Sequence, residues 1–162
     1  AAADAVATDT LARKDAQVLT LFGTGHQATY EAHAIARVRT LSQVLVVGRD
    51  AARTAAFVEK LRGDGLPAEV AQAEDAVRSA DIIVTVTTST APLFDADWVR
   101  EGTHISSMGS DSVGKQELPP ALFGRAQLFC NLIGDDRAHA VAEKGKWLPD
   151  NVSQRGKHSG YQ

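Results

Sequence analysis

Cysteine is almost absent: Cys130 is the only one in 162 residues. That scarcity excludes an internal disulfide framework and any cysteine-based zinc cluster. Long apolar runs are missing too, and none approaches the roughly 18 residues that a membrane span needs. No secretory leader pattern is legible at the start. Nor is there an excess of positive charge: 17 Lys+Arg against 20 Asp+Glu leave a net −3. Bulk binding to nucleic acid or to an anionic membrane calls for a basic face, which this balance does not supply. A soluble protein of the reducing cytoplasm is the expectation. The first residue is Ala1, not Met, which we read as the mark of a segment of a longer chain.

What is present is ordinary globular usage, with 44% hydrophobic and 23% charged residues. Such a composition supports a packed core, and the length suits one domain. Ala1 to Ala12 reads as an Ala-rich helix. Val18-Leu19-Thr20-Leu21-Phe22 reads as a buried strand that ends at Gly23. His26 to Arg39 has helical spacing, with Ala28, Ala32, Ile35 and Val38 on one stripe. Val44 to Val47 predicts a second strand. Asp50 is placed to cap a helix over Ala51 to Leu61, with Phe57 and Leu61 facing inward. A weak strand over Ala68 to Ala71 and a short helix over Glu74 to Ser79 follow. Ile82 to Val86 is the clearest strand, and Thr103 to Met108 and Gln127 to Leu132 are two more candidates. Apolar strands alternating with helices predict a doubly wound, mostly parallel α/β sheet of five or six strands, with helices on both faces. From Lys144 onward the pattern fades. The expected division is a dinucleotide-binding domain over 1–147 and an irregular tail or connector over 148–162.

Gly23-Thr24-Gly25-His26-Gln27-Ala28 fits G-x-G-x-x-G/A at a strand-to-helix junction, the context in which that pattern binds dinucleotides. The first glycine permits the tight turn, the second admits a pyrophosphate, and Ala28 lets the helix pack on the strand. Amides near His26 and Gln27 would meet the phosphates. A glycine turn needed only for packing is the alternative. The end of the second strand selects the cofactor: an acid there favours the ribose of NAD, an Arg the 2′-phosphate of NADP. Here the residues are Gly48-Arg49-Asp50. With Asp50 engaged as a cap, Arg49 tilts the expectation to NADP over NAD.

The glycine turn, the polar run Thr87-Thr88-Ser89, Gly102-Thr103-His104-Ile105, and Gly109-Ser110-Asp111 followed by Gly114-Lys115-Gln116-Glu117-Leu118 together resemble the ornithine cyclodeaminase/mu-crystallin family. The likeness runs from Ala1 to about Trp147. It implies a Rossmann-like nicotinamide-binding domain set into a second, substrate-binding and dimerising domain, in a homodimer. The family's reactions include cyclising deamination of ornithine or lysine, reduction of cyclic ketimines and amino-acid dehydrogenation. By the same resemblance Asp111 corresponds to an active-site acid. Ser107, Met108 and Lys115 correspond to the nicotinamide side, and Thr87 and Thr88 to a loop touching the cofactor. A turn-forming Asp111 and a surface Lys115 are the plainer alternatives.

Two departures stand out. Val113 occupies a position where the family usually has Pro. The family's substrate-carboxylate arginine precedes the Ala-rich helix with which this sequence starts, so an excised cofactor domain is the expectation. Its partner would be a small amino or imino acid. A non-catalytic protein that holds NAD(P)H or another small ligand is the rival reading.

The histidines supply no metal site. His26 and His33 are about 10 Å apart by helix rise, and no H-E-x-x-H spacing occurs. His104 reads as a packed histidine before a catalytic base, and Cys130 as a buried thiol.

Overall fold

The computed structural model describes residues 1–129. The chain runs α1 (Ala2–Leu11), β1 (Val18–Phe22), α2 (His26–Ala36), β2 (Gln43–Val47), α3 (Ala51–Gly63), β3 (Ala68–Val70), α4 (Ala73–Ser79), β4 (Ile82–Thr85) and β5 (His104–Ser107). Two 3-10 turns, Ala96–Trp98 and Pro120–Gly124, flank β5. The strands form one sheet in the order β3-β2-β1-β4-β5, with every pair parallel. This is the doubly wound, Rossmann-like α/β architecture.

Strands become continuous apolar runs where both faces are covered. On one face Leu19, Leu21, Val44, Val46, Ile82 and Val84 pack against Ala28, Ala32 and Ile35 of α2 and Phe57, Val58 and Leu61 of α3. On the other, Phe22 and Ile83 meet Val77, Phe94 and Leu122. The Phe22 and Phe94 ring centroids lie 5.3 Å apart. Asp50 caps α3, accepting from the Arg53 amide at 2.8 Å.

Register positions the site. Phe22 pairs with both Val47 and Thr85, and Thr85 pairs with Ser107. Val47, Phe22, Thr85 and Ser107 therefore form one row across the carboxyl edge of the sheet. The chain reverses direction of build at β1, with β2 and β3 on one side and β4 and β5 on the other. Open α/β sheets bind ligands at such a point, outside the carboxyl ends of the strands.

Several boundaries differ from expectation. Helix α2 stops at Ala36 rather than Arg39, where the Arg37 and Val38 amides tighten onto carbonyls three residues back, those of Ala34 and Ile35. The buried Arg39 side chain then reaches across to α1. β4 ends at Thr85 rather than Val86, and β5 covers His104–Ser107 rather than Thr103 to Met108. Of the strand expected over Gln127 to Leu132, residues 127–129 are irregular and the rest lies outside the described residues. Cys130 and the segment from Lys144 lie outside them as well. No helix among the described residues is long and apolar enough to cross a membrane.

Candidate nucleotide site at the carboxyl edge of the sheet

Every loop carrying a candidate residue leaves the row Val47–Phe22–Thr85–Ser107. From β1 comes Gly23, with φ +118°, a left-handed backbone that favours glycine. A Cβ there would also lie 2.6 Å from the Val86 carbonyl oxygen, so the turn presses directly on the chain leaving β4. Gly25 is the opposite case: a Cβ would meet nothing within 4 Å. It is the N-cap of α2, and no side chain caps that helix. The first amides of α2, at His26, Gln27 and Ala28, have no acceptor within the helix, and His26 and Gln27 are exposed. Open space, free N–H groups and the positive end of the helix dipole coincide there, as an anion requires. The Gln27 side chain turns away to Glu31.

At the end of β2, a Cβ on Gly48 would fall 2.2 Å from the Thr54 hydroxyl oxygen. That hydroxyl is fixed by donating to the Asp50 carbonyl at 2.6 Å. An acidic side chain at position 48 is thus excluded by packing, and Asp50 is taken up as the α3 cap. Arg49 and Arg53 are exposed beside it.

The loops after β4 and β5 converge on one carboxylate. Glu117 is fully buried. Its Oε1 accepts from the Thr87 amide at 2.6 Å and the Thr87 hydroxyl at 2.8 Å. Its Oε2 accepts from the Thr85 hydroxyl at 2.8 Å, the Ser107 hydroxyl at 3.2 Å and the Gly109 amide at 2.9 Å. Gly109 has no room for a side chain: a Cβ would lie 2.3 Å from the Thr87 carbonyl oxygen and 2.5 Å from Glu117 Oε1. Of the predicted residues, Thr87 and Ser107 are therefore tied to this carboxylate, and Thr88 is exposed. Met108 packs against the core, and its amide donates to the Thr85 carbonyl. The sequence shows Glu117 only as one member of a motif, and its role as the common acceptor is a tertiary fact.

Asp111 and Lys115 form an ion pair, Nζ donating to Oδ1 at 2.5 Å. The hydrogen bond from Lys115 holds the Asp111 carboxyl below the usual carboxylate range. Asp111 is more than half exposed.

On the other side of β5 lies a second polar group. Ser106 donates to Asp4 of α1 and stands 3.2 Å from His104 Nε2. Burial, then the charge of Arg39, pushes the His104 imidazole down. Asp4 is pushed up to about 6, mainly by burial. His104 is thus a half-buried packed residue. No group of three His, Cys, Asp or Glu side chains among the described residues could hold a metal ion.

Fold and edge define a class: a Rossmann-like domain with an open anion cradle at its switch point. More specifically, the chain belongs to the ornithine cyclodeaminase/mu-crystallin family, whose sequence profile matches residues 1–145. It is 35% identical over 161 residues to the iminosuccinate reductase of Paracoccus denitrificans, an alignment covering 96% of this chain and 50% of that protein. The crystal structure of that reductase in complex with NAD+ superposes with a TM-score of 0.77 and 34% identity, over 93% of this chain and 48% of the other. An archaeal alanine dehydrogenase dimer with bound NAD gives 0.74 and 37%, over 77% and 39%. Thermococcus litoralis Δ1-pyrroline-2-carboxylate reductase, in complex with NADH and L-proline, gives 0.67 and 32%, over 73% and 37%. The chain spans about half the length, or somewhat less, of the curated relatives it matches.

Proposed function

We propose that this chain is the nicotinamide-nucleotide-binding part of a longer NAD(P)-dependent enzyme. That enzyme moves hydride to or from the α-carbon of a small amino or imino acid. The observation that carries the reading is the uncapped N-terminus of α2, opening between the loops of β2 and β4 with no side chain over Gly25. Relatives with solved structures hold NAD+, NAD or NADH. The bound nicotinamide supplies the hydride donor or acceptor, and the protein supplies position and electrostatics.

In this reading Gly23, Thr24 and Gly25 cradle the pyrophosphate, with the amides of His26 and Gln27 as donors. Arg49 meets the 2′-position of the adenosine ribose. The packing that bars an acid at Gly48 favours NADP there over NAD. Asp50 lies beside it. Thr87, Thr88, Ser107, Met108 and Lys115 line the nicotinamide side. Asp111, ionised at neutral pH like an ordinary Asp and lowered further by the hydrogen bond from Lys115, accepts a proton rather than donating one. The group that holds the substrate carboxylate comes from a further domain, in a cytoplasmic homodimer. A small amino or imino acid is the substrate class, and no nucleic acid or membrane partner is called for.

Calorimetric titration of the 162-residue chain with NADPH and NADH tests this. Saturable binding is expected for both, tighter for NADPH. A folded sample that shows no binding of either at roughly 1 mM would sink the reading.

A further inference from the structure

We propose that Glu117 is the positioning residue for the nicotinamide side of this site. It rests on the nucleotide-binding reading above. Five donors from three segments converge on one buried carboxylate: Thr85 and Thr87 at the end of β4, Ser107 at the end of β5, and Gly109 just beyond it. The Gly109–Glu117 contact pinches the base of the loop 110–116, which presents both Asp111 and Lys115.

The surrounding backbone strengthens the closure. The Gln116 amide donates to the Ser89 carbonyl at 2.9 Å, and the Leu93 amide to the Glu117 carbonyl at 2.9 Å. Thr90 and Gln116 form an isolated parallel bridge. The loops after β4 and β5 are thus stitched into one unit, with Glu117 beneath it.

An ionised carboxylate only accepts, and all five partners donate, so the match is complete without a proton. Glutamine in its place would turn an NH2 toward donors at one end or the other. Fully satisfied buried networks fix one geometry, whereas partly satisfied ones do not. Among the described residues, neither the glycine turn nor Arg49 donates to Glu117; in the reading above they serve the pyrophosphate and adenosine end. Disturbing Glu117 therefore disturbs one half of the nucleotide site.

The test uses that division. ADP-ribose carries the adenosine, the pyrophosphate and the second ribose, and NADH adds the nicotinamide ring. Calorimetry would compare both ligands on the unmutated chain, Glu117→Gln and Thr85→Val, with NADH fluorescence as a second readout and near-UV circular dichroism to establish folding. For Glu117→Gln we expect ADP-ribose affinity within about twofold. NADH affinity should fall at least about tenfold, the scale of one hydrogen bond to a charged group, with loss of the fluorescence change. Thr85→Val, which removes one donor of five, should show the same selectivity to a smaller degree. Should Glu117→Gln not fold, Thr85→Val decides alone. Unchanged NADH binding, or equal losses for both ligands, would overturn the positioning role while leaving nucleotide binding intact. An unmutated chain that binds neither ligand would overturn the nucleotide reading and this proposal with it.

Discussion

The roles proposed for Arg49 and Asp111 rest on what their neighbours leave free. At Gly48 no side chain fits, and Asp50 spends its carboxylate on the Arg53 amide. Arg49, exposed as Arg53 is, is the residue we propose to meet a ribose substituent. Arg49→Ala should weaken NADPH binding by roughly 1.5–3 kcal/mol, as for a hydrogen bond to a charged group, and leave NADH nearly unchanged. Paired titrations check this; equal losses would make Arg49 a stacking or scaffold residue. Asp111 is paired with Lys115, whose hydrogen bond lowers its carboxyl below the usual range. In the longer enzyme proposed above, Asp111→Asn keeps the size and removes the proposed proton acceptor. Turnover should fall by about 10²–10⁴-fold with nucleotide affinity held, read from steady-state rates and calorimetry. Full turnover by that variant would leave Asp111 as a turn residue.

Among the elements, α1 depends on a residue far from it in sequence. The Arg39 guanidinium donates to the Thr8, Asp9 and Ala12 carbonyls, at 3.0, 3.1 and 3.0 Å, and to the Asp9 carboxylate at 2.7 Å. Those carbonyls belong to the last turn of α1 or follow it, where a helix leaves acceptors unsatisfied and favours a cation. Arg39→Met keeps the stem and deletes the fork. We expect a loss on the order of 2–4 kcal/mol in urea unfolding, with α1 loosened first. A loss below about 0.5 kcal/mol, the range of an ordinary surface change, would count against the capping role. The same residue shows what a sequence reveals. β1, β2 and β4 are legible because burial on both faces demands apolar runs such as Ile82 to Val84. The glycine turn is legible because its spacing is local. The end of α2 is not, because Arg39 is drawn out by carbonyls 27 to 31 residues away. Glu117 is hidden for the same reason: its Thr85 and Thr87 partners are 32 and 30 residues distant. The 3-10 turns have no periodicity long enough to read.

Across the whole molecule, charge burial makes stability depend on pH through a few groups of opposite sign. Asp81 is desolvated, yet the Gln17 and Val18 amides, with Arg13 and Arg100, hold its carboxyl below the ordinary range. A depressed acid contributes stability above its unfolded pKa, which is lost as pH falls through the folded value. His104 is depressed as well, so the unfolded chain binds its proton first, and stability falls as pH drops below about 6.5. Asp4 runs the other way. Burial pushes its carboxyl up to about 6, opposed by the hydrogen bond from Ser106 and reinforced by the charge of Glu31; the Ala1 ammonium also opposes the rise. One oxygen each of Asp4 and Glu31 lacks a donor, and a proton on Asp4 supplies the bond between them. The folded state therefore holds a proton that the unfolded state has released between about pH 4 and 6. Stability decreases as pH rises through that window, and the cost is fully present above it. Asp4→Asn keeps an oxygen for Ser106 and supplies a permanent N–H donor to Glu31. It should gain on the unmutated chain as pH rises from 4 to 7, by on the order of 3 kcal/mol for a shift of about two units. Its own stability should rise with pH toward 6.5, because among the described residues no raised acid then opposes the His104 slope. Urea unfolding at pH 4, 5.5 and 7 reads the difference directly. A variant whose difference from the unmutated chain is flat across the three would mean that Asp4 titrates alike in the folded and unfolded chain.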